Sequence, residues 1–140
     1  MELEPGSAES WFSLGRALDY ACKHEDAIES LKKAIRMNPF PKAVYFFHLG
    51  NAYLNVGKYE EAIAEYKKVI KLSPTNAFPY RGLAVSYAYL GSIEEARDAA
   101  QEILKRDPKF SLQKYPELAP WKEQATVERW LIGLRKAGLK

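Results

Sequence analysis

Residues 43–76 read AVYFFHLGNAYLNVGKYEEAIAEYKKVIKLSPTN, and their pattern indicates the architecture of the whole chain. On both sides of Gly57 apolar residues return every three or four positions, which is the spacing of a helix that buries one face. Glycine readily takes the left-handed backbone that ends a helix, and the residue before a proline avoids the helical region. Gly57 and Pro74 therefore mark two helix ends, and the stretch predicts a pair of helices near 43–56 and 59–72.

The same pattern occurs three times along the chain. Four prolines, at positions 5, 39, 74 and 108, are separated by 34, 35 and 34 residues, and internal repeats of this length are typical of helical arrays. Six further sets keep the period: Trp11, Phe46 and Tyr80; Leu14, Leu49 and Leu83; Gly15, Gly50 and Ala84; Leu18, Tyr53 and Tyr87; Ala27, Ala62 and Ala96; Leu31, Tyr66 and Ala100. The one extra residue falls in the turn that contains Pro41, so it leaves the helices intact.

Each unit resembles the tetratricopeptide repeat (TPR) in its order of aromatic, Leu-Gly, Tyr, Ala, aromatic, Ala and Pro residues. We set the repeats at 8–42, 43–76 and 77–110. The resemblance implies an all-α fold, a right-handed α-solenoid of three helical hairpins. First helices are expected near 8–21, 43–56 and 77–90, and second helices near 24–37, 59–72 and 93–106.

Both ends of the chain depart from the repeats. Leu3-Glu4-Pro5-Gly6 matches the end of a second helix, so residues 1–7 are interpreted as the tail of a truncated upstream repeat; the alternative is a short natural chain whose leader resembles one. Residues 111–140 break the period and predict a turn capped by Ser111, a linker at 115–120 and an amphipathic helix near 123–137. Because the last hairpin of a solenoid needs a cap, we expect this helix to cover the second helix of repeat three near Ala96, Ala100 and Ile103. The residues expected to be buried there are Val127, Trp130, Leu131 and Leu134, and Gly138 is expected just past the helix end.

The closing segment has a second resemblance. Phe110-Ser111-Leu112, together with ERWLIGLRKAGL at 128–139, is similar to the end of TPR regions attached to bacterial class III nucleotidyl cyclases and to some winged-helix regulators. This implies that the parent protein carries a signalling domain upstream and that its native C-terminus lies near Lys140. No cyclase motif occurs in the chain, so the resemblance implies no cyclase activity for it.

The TPR resemblance also implies that the first helices line a concave groove. Aromatic anchors with arginine and amide donors suit a groove that binds a peptide. The predicted groove residues are Phe12, Arg16, Tyr20, Phe47, His48, Asn51, Asn55, Phe78, Arg81 and Tyr89, with the three phenylalanines forming a stripe. The alternative is that some of them pack on the C-terminal segment or on an upstream repeat.

A carboxylate clamp, as found in chaperone-binding TPR domains, is not expected. The five positions that carry Lys and Asn in such domains correspond here to Phe12, Arg16, His48, Phe78 and Gly82. Only Arg16 is a plausible functional substitute.

Composition and motifs favour a binding module over an enzyme. Two histidines in different repeats, His24 and His48, have no cluster of Cys or carboxylates at ligand spacing, and Gly57-Lys58 lacks the preceding glycine of a phosphate loop. We therefore predict no catalytic residue, metal or cofactor. A net charge of +3, no secretory leader, no apolar run of about 20 residues and one cysteine, Cys22, predict a cytoplasmic protein that binds neither nucleic acid nor membrane.

The sequence thus predicts a non-catalytic module that binds a protein or peptide in its groove. Two alternatives stay open: self-association through the unsealed face of the first repeat, and a regulatory TPR segment of a larger signalling enzyme such as a nucleotidyl cyclase. Cys22 occupies the turn position that holds Gly57 and Gly91 in the other repeats, which predicts a strained or rearranged first turn. Otherwise this turn must avoid positive φ.

Overall fold

The computed structural model describes residues 6–140, and within that range the chain forms eight helices and no strand. The helices are α1 (Ala8–Tyr20), α2 (His24–Met37), α3 (Ala43–Asn55), α4 (Tyr59–Leu72), α5 (Pro79–Leu90), α6 (Ile93–Arg106), α7 (Tyr115–Leu118) and α8 (Gln124–Lys136). The first six form three hairpins, and their ends lie within two residues of the predicted positions. Of the predicted upstream tail only Gly6 and Ser7 are described, so that prediction lies mostly outside the described residues.

Small residues on the first helices let the hairpins approach closely. A Cβ atom added to Gly15 would lie 2.6 Å from Cγ of Leu31, and one added to Gly82 would lie 2.1 Å from Cζ of Tyr66. The Tyr66 ring is fully buried, and its hydroxyl donates a hydrogen bond of 2.5 Å to Oδ1 of Asn51. Tyr66 of repeat two therefore packs against Gly82 of repeat three. A small residue on a first helix leaves the room that a large residue on a second helix fills.

The three hairpin turns share one hydrogen-bonding pattern. Backbone N–H groups of Lys23, Lys58 and Ser92 donate to the carbonyl oxygens of Leu18, Tyr53 and Tyr87 at 2.8, 2.9 and 2.9 Å. The residue before each donor has a left-handed backbone: φ is +81° at Gly57 and Gly91, and +64° at Cys22. The first turn is therefore not rearranged. Cys22 adopts a left-handed backbone conformation that is unfavourable for any residue with a Cβ atom.

The C-terminal segment, residues 111–140, contains one more helix than expected. The one-turn helix α7 lies within the residues predicted as a linker. The Ser111 hydroxyl accepts a hydrogen bond from the Gln113 N–H, so Ser111 caps a turn just before α7. The helix α8 occupies the predicted region, and Gly138 follows it with φ +101°. No helix among residues 6–140 combines the length and apolar character needed to cross a bilayer.

The predicted packing partner of α8, the second helix of repeat three, was wrong. Its four stripe residues are buried, as expected, but α8 packs chiefly on α5, the first helix of repeat three, and touches α6 only marginally. Gly133 fits against Val85 so tightly that an added Cβ would lie 2.6 Å from Cγ1 of Val85. An apolar stripe shows that one face of a helix is buried, whereas the neighbour against which it packs depends on close contacts such as that of Gly133 with Val85. The resemblance to TPR proteins implies that first helices line the inner side, and on that expectation α8 lies on the concave face.

Candidate functional site

A row of four aromatic rings crosses the first helices. His48 lies between Phe12 and Phe47, with ring centroids 5.5 and 5.2 Å away, and Phe47 is 6.3 Å from Phe78. Tyr20 also meets His48 edge-on at 5.9 Å. The sequence placed the three phenylalanines in one stripe, and the structure shows how a histidine completes it. We call Phe12, His48, Phe47 and Phe78 the aromatic row.

Arginines lie at the two ends of the aromatic row. The guanidinium carbon of Arg16 is 5.6 Å from the Phe12 ring centroid, and that of Arg81 is 5.1 Å from Phe78 and 5.0 Å from Phe110. A guanidinium over a ring face is held by cation–π attraction. Arg81 also faces a carboxylate, with its Nη2 atom 4.0 Å from Oδ2 of Asp107. Each end of the row therefore has a positive charge, and the one on Arg81 is partly offset by Asp107.

The centre of the row is uncharged at neutral pH. Burial, which disfavours the charged ring, lowers the pKa of His48 to about 4; nearby Asp19 raises it and Arg16 lowers it by smaller amounts. Its Nδ1 atom is buried without a hydrogen-bond partner. Of the five positions compared with the carboxylate clamp, only Arg16 thus provides a positive charge.

The C-terminal segment reaches back to the first repeat through a buried carboxylate. Asp19 is fully buried, with His24 Nδ1 2.6 Å and Asn55 Nδ2 3.1 Å from its Oδ1 atom. Its Oδ2 atom accepts a hydrogen bond of 3.0 Å from Nε1 of Trp121. Trp121 stacks on Trp130 at 4.5 Å, and Nε1 of Trp130 donates to Oδ1 of Asn55 at 2.7 Å. Asp19 therefore links α1, α3 and the C-terminal segment.

Further bonds fix the C-terminal segment along the groove. The Lys122 N–H donates to the Tyr20 carbonyl oxygen at 2.8 Å, and the Tyr89 hydroxyl donates to the Arg129 carbonyl oxygen at 2.7 Å. Arg129 in turn donates to the Tyr59 hydroxyl at 3.0 Å.

The predicted groove residues consequently fall into two groups. Asn55 and Tyr89 are occupied by the chain itself, and Asn51 is buried beneath Tyr66. Phe12 and His48 form the buried part of the aromatic row, with 6% and 5% of their surfaces exposed, and Phe12 stacks on Tyr45 at 4.6 Å, so neither lies open in a groove as predicted. The other predicted residues, Arg16, Tyr20, Phe47, Phe78 and Arg81, lie at the accessible part of the row and around it. Among them Phe78 is the large apolar side chain open to solvent, with 54% of its surface exposed.

Two adjacent cavities lie along the row. The first, of about 220 Å³, is lined by Tyr20, Phe47, Asn51, Phe78 and Arg81 from the repeats and by Tyr115, Leu118, Pro120, Trp121 and Trp130 from the C-terminal segment. The second, of about 250 Å³, is lined by Tyr20, Val44, Phe47, His48, Asn76 and Phe78. Because three lining residues are common to both, the cavities are neighbours along one surface.

Sequence reasoning missed the contribution of the C-terminal segment to this surface. Five residues of the segment line the first cavity, and none of them was predicted there. The signal was present in Trp121 and Trp130, because large aromatic side chains in a polar tail need a burial site of their own. Within the described part of the chain, no group of three or more His, Cys, Asp or Glu side chains is placed to hold a metal ion.

Three family models match parts of the chain. Two models described as tetratricopeptide repeat match residues 8–41 and 82–109, and one described as TPR repeat matches residues 50–91. No curated relative matches the sequence.

Several solved structures share the fold. The crystal structure of MamA is 24% identical over 96% of this chain and 78% of that chain, with a TM-score of 0.71. The second TPR domain of human RPAP3, in complex with the HSP70 peptide SGPTIEEVD, is 22% identical over 95% and 96% of the two chains, with a TM-score of 0.70. YrrB, described as a TPR protein with an unusual peptide-binding site, is 17% identical over 96% and 69%, with a TM-score of 0.68. Identities this low establish a common fold alone.

Proposed function

Since this chain belongs to the tetratricopeptide repeat family, we propose that it is a non-catalytic interaction module that binds an extended segment of another protein at the accessible part of the aromatic row, Phe47 and Phe78. The observation that carries the proposal is the exposed Phe78 beside Phe47, with a cavity on either side and an arginine at each end of the row. Aromatic and arginine side chains dominate the binding energy of protein interfaces. The peptide complex of the similar RPAP3 domain and the peptide-binding site of YrrB support the same role.

A larger cavity elsewhere supports the proposal less well. About 450 Å³ lie around Phe40 and Leu72, at the turn between the first and second hairpins. That cavity involves only one junction, whereas the aromatic row joins all three repeats. We further infer a cytoplasmic protein without nucleic-acid or membrane partners, from its net charge of +3 and its single cysteine.

The proposal is tested with two groove variants and one control. Phe78→Ala and Arg81→Ala are each expected to weaken binding of a captured protein partner by about 1–3 kcal/mol, as for hot-spot side chains. Lys67→Ala, at an exposed position of α4, should leave binding unchanged. Circular dichroism establishes that each variant is folded. A partner that tolerates both groove variants but loses binding with Lys67→Ala would refute the proposal.

Self-association is a second candidate because the outer face of α1 is uncovered. Leu14 is 46% exposed, whereas the equivalent Leu49 and Leu83 are buried between hairpins. A second copy covering this face would give a dimer that Leu14→Lys dissociates. Light scattering of both proteins over a range of concentrations tests this candidate, and a monomeric wild type at all of them would exclude it.

The third candidate, a regulatory segment of a signalling enzyme, rests only on the resemblance of residues 110–112 and 128–139. Gly133, Leu134 and Leu139 of that string are buried, so their packing role accounts for much of the similarity. A signalling domain encoded upstream in the parent gene would support this candidate, and a gene without one would exclude it.

A further inference from the structure

The chain itself provides one example of what the concave face accepts. Ala119 has φ −71° and ψ 129°, which lies in the polyproline II region, and the next residue, Pro120, lines the first cavity together with Tyr20 and Trp121. The Lys122 N–H then donates to the Tyr20 carbonyl oxygen at 2.8 Å. Pro120, preceded by one residue in this conformation, therefore already lines the aromatic-walled cavity.

The lining of the cavities suits further residues of that kind. Six of the ten residues around the first cavity are aromatic: Tyr20, Phe47, Phe78, Tyr115, Trp121 and Trp130. Proline-rich segments dock in aromatic-lined grooves, because the polyproline II conformation is preformed and loses little entropy on binding. Each cavity is smaller than a typical small-molecule site of roughly 300–1,000 Å³. Two shallow neighbouring cavities instead match successive side chains of an extended segment.

Hydrogen-bond donors along this surface match the needs of such a segment. A polyproline II helix makes no internal hydrogen bonds, so its carbonyl oxygens need donors from elsewhere. Arg81 lines the first cavity and lies over the Phe78 and Phe110 rings at 5.1 and 5.0 Å, so its guanidinium is the donor nearest to a segment bound there. The Tyr20 hydroxyl is protonated at neutral pH, as tyrosine ordinarily is, and burial raises its pKa further.

The distribution of charge argues against an acidic ligand held by its carboxylate. The positive charges of the aromatic row lie at its ends, on Arg16 and Arg81, and the charge of Arg81 is partly offset by Asp107, whose Oδ2 atom lies 4.0 Å from its Nη2 atom. The centre is occupied by His48, which is neutral at pH 7 because burial lowers its pKa to about 4. A neutral, apolar segment fits this centre better than a carboxylate does.

We propose that the partner is a proline-containing segment that binds in polyproline II conformation across Tyr20, Phe47 and Phe78, beside the chain's own Pro120. The inference rests on the proposed function, because it names the chemistry of the ligand for the same groove. It differs from that function in excluding acidic carboxylate-terminated peptides as the preferred ligand.

The test is a calorimetric titration of the whole chain with a peptide of nine prolines. A nine-residue Gly-Ser peptide is the control for non-specific binding. The competing ligand is the acidic peptide SRMEEVD, an HSP90 peptide bound by the first TPR of Spaghetti (RPAP3), a solved structure with the same fold. We expect the proline peptide to bind more tightly than either, and Phe78→Ala to weaken it about tenfold or more. Phe40→Ala is the matched control, since Phe40 is also a phenylalanine next to proline and is 86% exposed, but lies outside the groove.

The outcomes separate this inference from the proposed function. Equal or tighter binding of SRMEEVD, or proline binding that Phe78→Ala leaves unchanged, would overturn the inference. No binding of the proline peptide would also overturn it, while the proposed function stands if Phe78→Ala and Arg81→Ala still weaken a captured protein partner. Trp11→Phe leaves Trp121 and Trp130 of the first cavity as the only tryptophans, so a fluorescence change on proline binding would independently support the assigned surface.

Discussion

The repeats at 8–110 and the C-terminal segment at 111–140 are held in place by different kinds of contact. Within the repeats the same contact recurs, as in the hydrogen bond that closes each hairpin turn. The C-terminal segment depends on single pairs that occur once, such as Trp121 with Asp19, which are 102 positions apart, and Trp130 with Asn55. A period therefore specifies how neighbouring hairpins pack, whereas the path of the last 30 residues depends on unique polar and aromatic partners.

The largest expected effect is that of deleting residues 111–140. The deletion would expose α5 to solvent and remove the buried side chains of Trp121, Trp130 and Leu134. The free energy of unfolding should fall by several kcal/mol, on the order of two or three large buried side chains. Urea denaturation of the full and shortened chains measures this difference. If the midpoints agreed, the repeats would be independent of the segment and the comparison would fail.

The next effect concerns the carboxylate that joins the two regions. Asp19→Ala removes the acceptor for Asn55 and Trp121 and the partner of His24, and should destabilise the fold by about 3 kcal/mol, because buried groups left unpaired cost roughly 1–3 kcal/mol each. Asp98→Ala, which removes an exposed carboxylate from α6, is the control and should change little.

A double-mutant cycle of Asp19→Ala with Trp121→Phe separates the contribution of the C-terminal segment. In the Trp121→Phe background, where no indole N–H donates to Asp19, Asp19→Ala should lower the free energy of unfolding by about 1 kcal/mol less than it does in the wild type. Strict additivity of the two changes would show that this bond does not hold the segment in place.

The same contrast explains which features could be predicted from the sequence. Helix ends followed from Gly91, Pro74 and their equivalents, because turn conformation is a local property. The apolar face of α8 could be predicted from helical spacing. Its packing against α5 could not, because an apolar face shows that a helix is buried on one side but not which helix covers it. Asp19 lies on an inward position, yet its burial depends on Trp121, whose position no local rule determines. For the same reason the occupation of Asn55 and Tyr89 by the chain itself could be stated only as an alternative.

A smaller effect is expected where α8 meets α5. Gly133→Ala would place a Cβ atom 2.6 Å from Cγ1 and 3.1 Å from Cα of Val85, so the helices must separate. We expect a loss of about 1–3 kcal/mol, although alanine favours helix more than glycine does. Val85→Ala in the same chain should recover part of the loss, since it removes Cγ1. A stabilising Gly133→Ala would show that α8 is free to shift.

The smallest effect concerns the turn at which the repeats differ from one another. Cys22 has φ +64°, where an L-residue other than glycine costs roughly 1–2 kcal/mol, so Cys22→Gly relieves strain. Its Sγ atom lies 3.5 Å from Oγ1 of Thr126, so the same change removes a contact with α8 and adds the entropy of a glycine to the unfolded chain. We therefore expect Cys22→Gly to be neutral or stabilising by up to about 1 kcal/mol in urea denaturation.

Cys22→Ala separates the two contributions, because it removes the thiol but keeps the Cβ atom and its strain. The free energy of unfolding should be lower for Cys22→Ala than for Cys22→Gly, and their difference measures the strain of the turn. Gly91→Ala is the reciprocal change: φ there is +81° and a Cβ atom would meet no neighbour within 4 Å, so a loss of about 1 kcal/mol would come from the backbone alone. If Cys22→Gly were instead clearly less stable than Cys22→Ala, the first turn would tolerate a side chain that the other turns exclude. The entropy that glycine adds to the unfolded chain would then outweigh the strain that it relieves at φ +64°.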